Sequence, residues 1–563
     1  MSSTDSVAVA DSSPATGDPR AAGGIAAAAG LIAVVTLLAR VVGFGRWLVF
    51  SEAVRTDGIG SIYNSVNALP NVLYEVAAGG VLAAVAVPVI AGHLGRGDAD
   101  RAHRTASALL TWCLTLLVPL AALLAIAAPW LAQVLVDTRQ AGAAAAGTTM
   151  LRIFAVQVPL YGVGIVLAGL LQAHRRFLAA AVAPLLSSLV VIAAYLVYGG
   201  LVHGATAPGA VSHGALLVLA WGTTAGVVLL SLPLVVPAAR AGWRWRPTWR
   251  FPAGDARRSM SLAGAGVIAL LAQQAAVVAT IWVANHRGDG GTQSVYQYVQ
   301  AVYLLPYAVL AVPIATSAFP ALAQTAGVLD GGDRPGAAGT VDRGLRAIVV
   351  LTAGAATALV AAASSVEVFF AALDARRGGG HASSASLAAL GDGLAAYAPG
   401  LVGFGAIALL SRALYVRGRP RQAAAAVAAG WLVAAVLPLA VLRPGAGPLA
   451  TLRVLGYSSA LGMTLAAGLL GVLVRRAWGA AAVTGLPRTL GAVVVGGALG
   501  SLLADGLGGA LGSVAASAPA AVGRGCLLAA VALLGFGVVV WMLDRGTVNE
   551  ALARLPGVRA RAR

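Results

Sequence analysis

The stretch LARVVGFGRWLVF, Leu38–Phe50, sets two arginines inside what otherwise reads as a lipid-spanning helix. A guanidinium near the bilayer centre costs about 2.5–3.5 kcal/mol, so an intramembrane arginine normally faces a cavity or a partner. Arg40 and Arg46 therefore call for an anionic ligand, a carboxylate elsewhere in the bundle, or accommodation by helix packing alone. Which of these applies depends on the rest of the chain.

Only 10% of the 563 residues are charged and 59% are hydrophobic, with a mean hydropathy of +0.86. A soluble domain carries about a quarter charged residues, so this composition is that of an integral membrane protein. The formal charge of +18 comes entirely from arginine, there being no lysine. Those arginines sit in short loops between apolar runs and form no basic face, which argues against nucleic acid as a partner. Cys113 and Cys526 both fall in apolar runs and imply neither a disulfide framework nor a metal site.

A helix needs about 20 mostly apolar residues to cross the hydrocarbon core. That rule predicts an all-α polytopic protein with about fourteen spans: 25–50, 64–92, 106–136, 148–172, 178–199, 214–239, 259–284, 296–324, 345–372, 388–412, 422–442, 451–474, 487–505 and 521–543. Residues 1–24 read as a disordered tail with no basic, cleavable signal segment, so the first span is expected to stay as an anchor. If the loops alternate sides, 27 arginines fall on the side of the termini and 7 on the other. The positive-inside rule then puts both termini in the cytoplasm.

An internal echo suggests how the spans group. ALPNVLYEVAAGGVLAAVAVPVIAGHL in the second span resembles LLPYAVLAVPIATSAFPALAQTAG in the eighth, each with a Leu-Pro entry (Pro70, Pro306) and a later proline (Pro88, Pro320). GLLQAHRRFLAAAVAPLL after span four likewise echoes LSRALYVRGRPRQAAAAVAAG after span ten. An offset of six spans preserves topology, so these are parallel repeats, the design of transporters with a site between two lobes. The expected organisation is an N-lobe at 25–239, an Arg/Trp linker at 240–258 and a C-lobe at 259–474. Two further helices at 475–543 and a basic tail at 544–563 complete it. Helix prolines, Pro159 and Pro313 among them, are tolerated when they face the bundle.

ARVVGFGR followed by LPNVLYEVAAGGVLAAVAVPVI resembles the MurJ/MviN family of lipid II flippases, in the multidrug/oligosaccharidyl-lipid/polysaccharide exporter superfamily. LRIFAVQVPLYGVGIVLAGLLQAHRRFLAAAVAPLL, YQYVQAVYLLPYAVLAVPIATSAFP and RALYVRGRPRQAA agree with it in family order over most of residues 25–440. The resemblance implies two six-helix lobes related by a pseudo-twofold repeat around a central cationic cavity, with two extra helices bordering a groove for a polyprenyl tail. It implies transport of undecaprenyl-diphosphate-linked peptidoglycan precursor between leaflets of a bacterial plasma membrane. No cofactor, no metal and no covalent chemistry are implied, and cell-wall synthesis proteins are candidate partners.

Within that resemblance Arg40 and Arg46 match the family's two first-helix arginines. Six residues rise about 9 Å, so the two side chains reach different parts of a diphosphate–sugar head, and the planar guanidinium fork binds phosphate bidentately. Arg46 has an alternative, snorkelling to the interface. Asn71 of the LPN motif joins the candidate substrate-binding set. The chain departs from the family at Tyr74-Glu75, where two arginines are usual, and at Ser61, Gly79 and Ala301. Spans seven, eleven and twelve contain no Asp or Glu, which puts sodium coupling in doubt.

Glu75 and Arg40 are expected at similar depths and therefore to pair across adjacent helices. The pair then either yields to an anionic substrate, titrates, or is a fixed structural bridge. Arg175, Arg176 and Arg412 are candidate contacts at the cytoplasmic mouth, with a positive-inside stop signal as the alternative. Asp98-Ala99-Asp100 has the spacing of a glycosyltransferase metal motif but sits in a short loop and reads as a solvated turn. GAVVVGGALG, residues 491–500, points to close helix packing. No nucleophile–base pair or phosphate-binding loop stands out, so an enzyme is not expected. The functional expectation is a lipid II flippase. The alternatives are an exporter of another polyprenyl-linked saccharide and a non-transporting structural partner in cell-wall assembly.

Overall fold

In hydrocarbon every backbone N–H and C=O has to be satisfied within its own segment, so the long apolar runs become helices. The computed structural model describes residues 19–79, 89–252, 266–316, 336–376, 385–512 and 517–552. The first half supplies α1 (Pro19–Ala53), α2 (Ile59–Tyr74), α3 (Ala99–Leu135), α4 (Ala143–Phe154), α5 (Gln157–Ala173), α6 (Phe177–Val202), α7 (His213–Ser231) and α8 (Val235–Arg240). After it come α9 (Val267–His286), α10 (Thr292–Pro306), α11 (Ala337–Arg376), α12 (Leu390–Tyr397), α13 (Gly400–Val416) and α14 (Pro420–Val441). The chain closes with α15 (Gly447–Trp478), α16 (Leu486–Ala510), α17 (Ala518–Leu543) and α18 (Arg545–Leu552).

Among the described residues twelve helices are long and apolar enough to cross a membrane, or thirteen when the segments meeting at a 47° bend between α12 and α13 are taken as one span. The bend falls at Pro399, which has no N–H to continue the ladder. The expected span at 64–92 is the one not counted, because residues 80–88, with Pro88, lie outside the described set. Pro320, residues 1–18, 253–258 of the linker and the tail beyond 552 lie outside it as well. The expected span at 148–172 is built from two helices, α4 and α5, with a break at Ala155-Val156.

The echo between spans two and eight has a structural counterpart. The helix of each Leu-Pro motif passes into a π-helical stretch, Glu75–Gly79 after α2 and Tyr307–Ala311 after α10. A proline removes one ladder donor, and a widened turn is one way for the helix to continue.

Successive spans alternate in direction, and we call the end where α1 begins the near end and the end where it finishes the far end. Packing partners fall into two sets. In the first, α1 lies on α6, α6 on α7, α3 on α4 and α5, and α2 on α4 and α5. In the second, α14 lies on α15 and α9, α13 on α15 and α11, and α16 and α17 on each other and on α11. Gly496 and Gly500 of the GAVVVGGALG stretch meet the backbone of α17 at Phe536 and Ala532, the close approach expected of that motif. Gly430 of α14 and Gly462 of α15 face each other so closely that a Cβ on either would run into the other's carbonyl oxygen.

Two near-end devices fix the ends of these sets. Residues 243–252 lie as a strap along the start of α3, where Trp112 Nε1 donates to the Trp249 carbonyl (2.9 Å), Trp249 Nε1 to Thr115 Oγ1 (3.2 Å) and the Thr248 amide to Thr111 Oγ1 (3.1 Å). In the second set, buried Asp544 follows α17 and accepts from Arg346 Nη2 of α11 (2.7 Å), Thr489 Oγ1 of α16 (2.6 Å) and Thr547 Oγ1 (2.8 Å). Burial pushes the Asp544 carboxyl up, but the Thr489, Thr547 and Arg346 interactions outweigh it and hold the group below the ordinary carboxylate range. A carboxylate whose pKa is lowered by folding contributes stability that is present above its unfolded pKa and is lost as pH falls through the folded one. Asp544→Asn is expected to lower the melting temperature at pH 7 through the loss of about 1–3 kcal/mol. Thermal melts from pH 7 downward check this: the gap from the parent protein should narrow below about pH 4, and a gap constant with pH would show that the charge does not matter.

Candidate functional site

The two sets of helices touch along a seam that carries a group of hydrogen bonds at the far end. Just past α1, Arg55 Nη2 meets Asp374 Oδ2 of α11 at 3.2 Å, and Asp374 Oδ1 also accepts from the Thr56 amide (3.0 Å) and Thr56 Oγ1 (2.9 Å). Arg55 and Asp374 are both buried, and Arg55 holds a left-handed backbone at φ 72°. That conformation costs a non-glycine residue about 1–2 kcal/mol and persists because the surrounding bonds impose it. One turn into α2, the Asn64 amide donates to Ser294 Oγ of α10 (3.1 Å). Asn285 of α9 donates to Ser65 Oγ and to the Leu135 carbonyl, both at 2.8 Å.

At the near end the strap and the Asp544 cluster each bind helices of one set. The far end is thus tied across the two sets. A cavity of about 420 Å³ lies directly beneath the seam, with Asn71 of α2 on one wall and residues of α9, α10, α13, α14 and α15 on the other. Its polar lining includes Gln273 and Gln274 of α9, Gln297 and Gln300 of α10, and Ser459 of α15. Tyr296, Phe404 and Trp431 give it an aromatic side, the last two packed edge-on at 6.4 Å between ring centroids. Among the described residues no charged one lines it.

The expected site residues fall in different surroundings. Arg40 is exposed on a part of α1 where Leu37, Leu38 and Val41 are exposed too, and among the described residues it has no ion-pair partner. Since α1 packs on α6 of its own set and on α11 of the other, Arg40 lies on the helix that follows the seam. Arg46 is half-buried, 5.7 Å from the Trp47 ring centroid and within electrostatic reach of the Tyr63, Tyr161 and Tyr195 hydroxyls of the first set. Asn71 reaches the cavity, and Glu75 follows one turn later on the same helix face, half-buried.

The expected Arg40–Glu75 pair is not formed. α1 packs chiefly against α6 and α11 rather than α2. α2 also begins at Ile59, ahead of the expected 64, which carries Glu75 deeper than Arg40. Of the mouth arginines, Arg176 ties α6 to α8 through the Pro237 and Arg240 carbonyls, both at 3.2 Å. Arg175 is exposed, and Arg412 bonds the Ala408 carbonyl of its own helix beside Tyr415 and Ser411 in a second pocket. Among the described residues no group of three or more His, Cys, Asp or Glu side chains could hold a metal ion.

Sequence reasoning missed the cavity glutamines and the Arg55–Asp374 latch. Paired glutamines in LLAQQAAVV and the Gln293, Gln297 and Gln300 series at helical spacing were the available signal, since polar groups inside a span usually face a cavity or partner.

A family model described as "Lipid II flippase MurJ" matches residues 51–507. Two curated proteins named "Probable lipid II flippase MurJ" are similar to the chain. The one from Rhizobium meliloti (strain 1021) is 27% identical over 331 residues, 57% of this chain and 58% of that protein. The one from Rhizobium tropici is 26% identical over 387 residues, 67% of this chain and 68% of that protein. The first match thus spans less than two thirds of its relative. Among solved structures, one titled "Lipid II flippase MurJ, inward closed conformation" aligns over 91% of this chain and 99% of its own, with a TM-score of 0.65 at 15% identity. An inward-facing multidrug resistance MATE family transporter of the MOP superfamily aligns over 78% of this chain and 93% of its own, with a TM-score of 0.57 at 15% identity. These structural likenesses establish a shared fold.

Proposed function

The chain belongs to the lipid II flippase MurJ family, and from that premise we propose that it moves an undecaprenyl-diphosphate-linked peptidoglycan precursor from the inner to the outer leaflet by alternating access. The arginine asymmetry between the two ends supports a cytoplasmic near end. In that orientation the bonded end of the seam lies on the outer side, with the cavity below it. The two packing sets act as lobes, and no covalent step is required.

The observation that carries this reading is Arg40. A guanidinium at mid-depth with no partner among the described residues is a cost that an anionic head group offsets on arrival. Counting about 1.5 Å per residue from the far end, Arg40, Asn71 and Gln274 lie at closely similar depths, roughly 18–20 Å in. A diphosphate held at Arg40 therefore keeps its sugar at the level of the cavity. Glu75, free of Arg40, is a half-buried carboxyl next to that route.

A second reading, export of another polyprenyl-linked saccharide, draws support from the uncharged cavity and from Tyr74 and Ala301, where the family usually has arginine. Complementation separates the two. In a bacterium depleted of its own lipid II flippase, the wild-type chain is expected to restore growth. Arg40→Ala, accumulating equally in the membrane, should not, losing about 1.5–3 kcal/mol of head-group binding, roughly 10- to 150-fold. Failure of the wild type would favour the second reading, and rescue by both would remove Arg40 from the site.

A further inference from the structure

We infer that the recess between the 243–252 strap and the start of α3 binds the phosphate of an anionic glycerophospholipid in the near-end leaflet. The inference goes beyond the flippase reading and does not depend on it. The recess has a volume of about 720 Å³, with Arg101 and Arg104 of α3 on one side and Arg244, Arg246 and Arg250 of the strap on the other. Its two carboxylates are already engaged. Asp98 accepts from the Arg101 amide at the start of α3 (2.9 Å), and Asp100 pairs with Arg104 (2.8 Å). Among the described residues the side chains of Arg244, Arg246 and Arg250 have neither an ion pair nor a hydrogen bond. Five arginines against two aspartates in the described lining leave a surplus of three positive charges around one concavity.

The arginines are held in place, not merely nearby. The strap is irregular backbone, fixed by its bonds to α3. Besides the Trp112, Trp249 and Thr248 bonds described above, the Arg246 amide reaches Ser107 Oγ and Trp245 Nε1 reaches Thr111 Oγ1, both at 3.4 Å. These bonds set three guanidinium groups beside the first turns of α3, and such groups bind phosphate oxygens bidentately. The level is that of lipid head groups. With 37 residues, α3 is about 55 Å long against a hydrocarbon core of about 30 Å, so its charged near-end turns stand outside the core. Trp112, Trp245 and Trp249 are exposed beside them, while Trp112 and Trp249 give their N–H groups to the protein. Rings so placed form an interfacial aromatic belt, against which a lipid lays its glycerol and acyl esters. Phe251 and Pro252 add apolar lining to the recess itself. Basic pockets at this level on the cytoplasmic side suit anionic head groups. Because the strap leads from the first set toward α9, a lipid clamped between strap and α3 fixes where the link between the sets begins.

The test is native mass spectrometry of the delipidated full-length chain, released from detergent and titrated with dioleoyl phosphatidylglycerol or dioleoyl phosphatidylcholine. One phosphatidylglycerol is expected to bind at least about tenfold more tightly than phosphatidylcholine. Arg244→Gln/Arg246→Gln/Arg250→Gln should abolish that preference. Arg421→Gln/Arg475→Gln/Arg476→Gln, which removes the same charge from exposed near-end positions of the second set, should keep it. Equal binding of the two lipids by the wild type would overturn the site without relying on any variant. An equal loss in both triple variants would overturn it too, as the mark of diffuse surface charge. So would displacement of the lipid by inorganic phosphate but not by chloride at the same ionic strength, the mark of a site for soluble phosphate. A wild type that fails complementation but keeps the lipid preference would instead sink the flippase reading and leave the site standing; complementation without the preference would do the reverse.

Discussion

Asp374→Ala is expected to release the far end. The substitution removes the acceptor of three bonds, to Arg55 Nη2, the Thr56 amide and Thr56 Oγ1, and strands a guanidinium that is 8% exposed. Removing one partner of a buried pair costs about 3–5 kcal/mol. Here the cost falls on the closed state, because a state open at the far end hydrates Arg55 and relaxes its left-handed backbone. Val295 is fully buried near the seam, so Val295→Cys reports opening, in a background where exposed Cys526 is replaced by serine and buried Cys113 is kept. Its maleimide labelling rate should rise by about two orders of magnitude or more with Asp374→Ala. Labelling as slow as in the parent would mean that the ion pair does not hold the seam. Arg55→Leu/Asp374→Leu is the informative companion: apolar replacement of a buried pair is often neutral or stabilising, so labelling should fall back most of the way.

Gly462→Val is expected to have the largest effect on folding. Gly462 and Gly430 bring the backbones of α15 and α14 into contact, and α15 also meets α13 where Gly403 faces the Met463 backbone. Without a hydrophobic drive between helices in lipid, such close approach is what holds them together. Overpacking costs about 1–3 kcal/mol when side chains can move aside. A carbonyl oxygen cannot move aside, so the crossing of α14 and α15 has to separate. The expected result is loss of the monodisperse detergent-solubilised peak in size-exclusion chromatography, while Gly468→Val, at a position with open space around it, behaves as the parent. A normal peak for Gly462→Val would show that α14 and α15 tolerate separation.

The spans were legible because each is long and apolar, and their boundaries shifted where caps and prolines, rather than hydropathy, end a helix. Gly496 and Gly500 were legible for a similar reason: small residues four apart mark one helix face. The latch was not, since Arg55 and Asp374 stand 319 residues apart and each sits in a loop-edge context that positive-inside counting treats as topology alone. Arg40 was found by its cost in lipid. Its assumed partner failed because consecutive helices in this bundle need not be neighbours: α1 follows α6 and α11. The cavity glutamines carry no charge, so they raise no alarm in a search for intramembrane ions.

The position of the latch has a mechanical consequence. Asp374 is the third residue from the far tip of α11, a helix of 40 residues and so about 60 Å long. α1, of 35 residues, ends at the same point. With the pivot at one extremity, nearly the whole length of both rods is lever arm. A tilt of about 10° at the pivot, small enough to be absorbed by a few hydrogen bonds, sweeps the opposite tips through roughly 10 Å. A wide mouth at the near end is thus compatible with almost no movement at the seam, and stiffness in these two helices becomes as important to transport as any residue that touches the cargo.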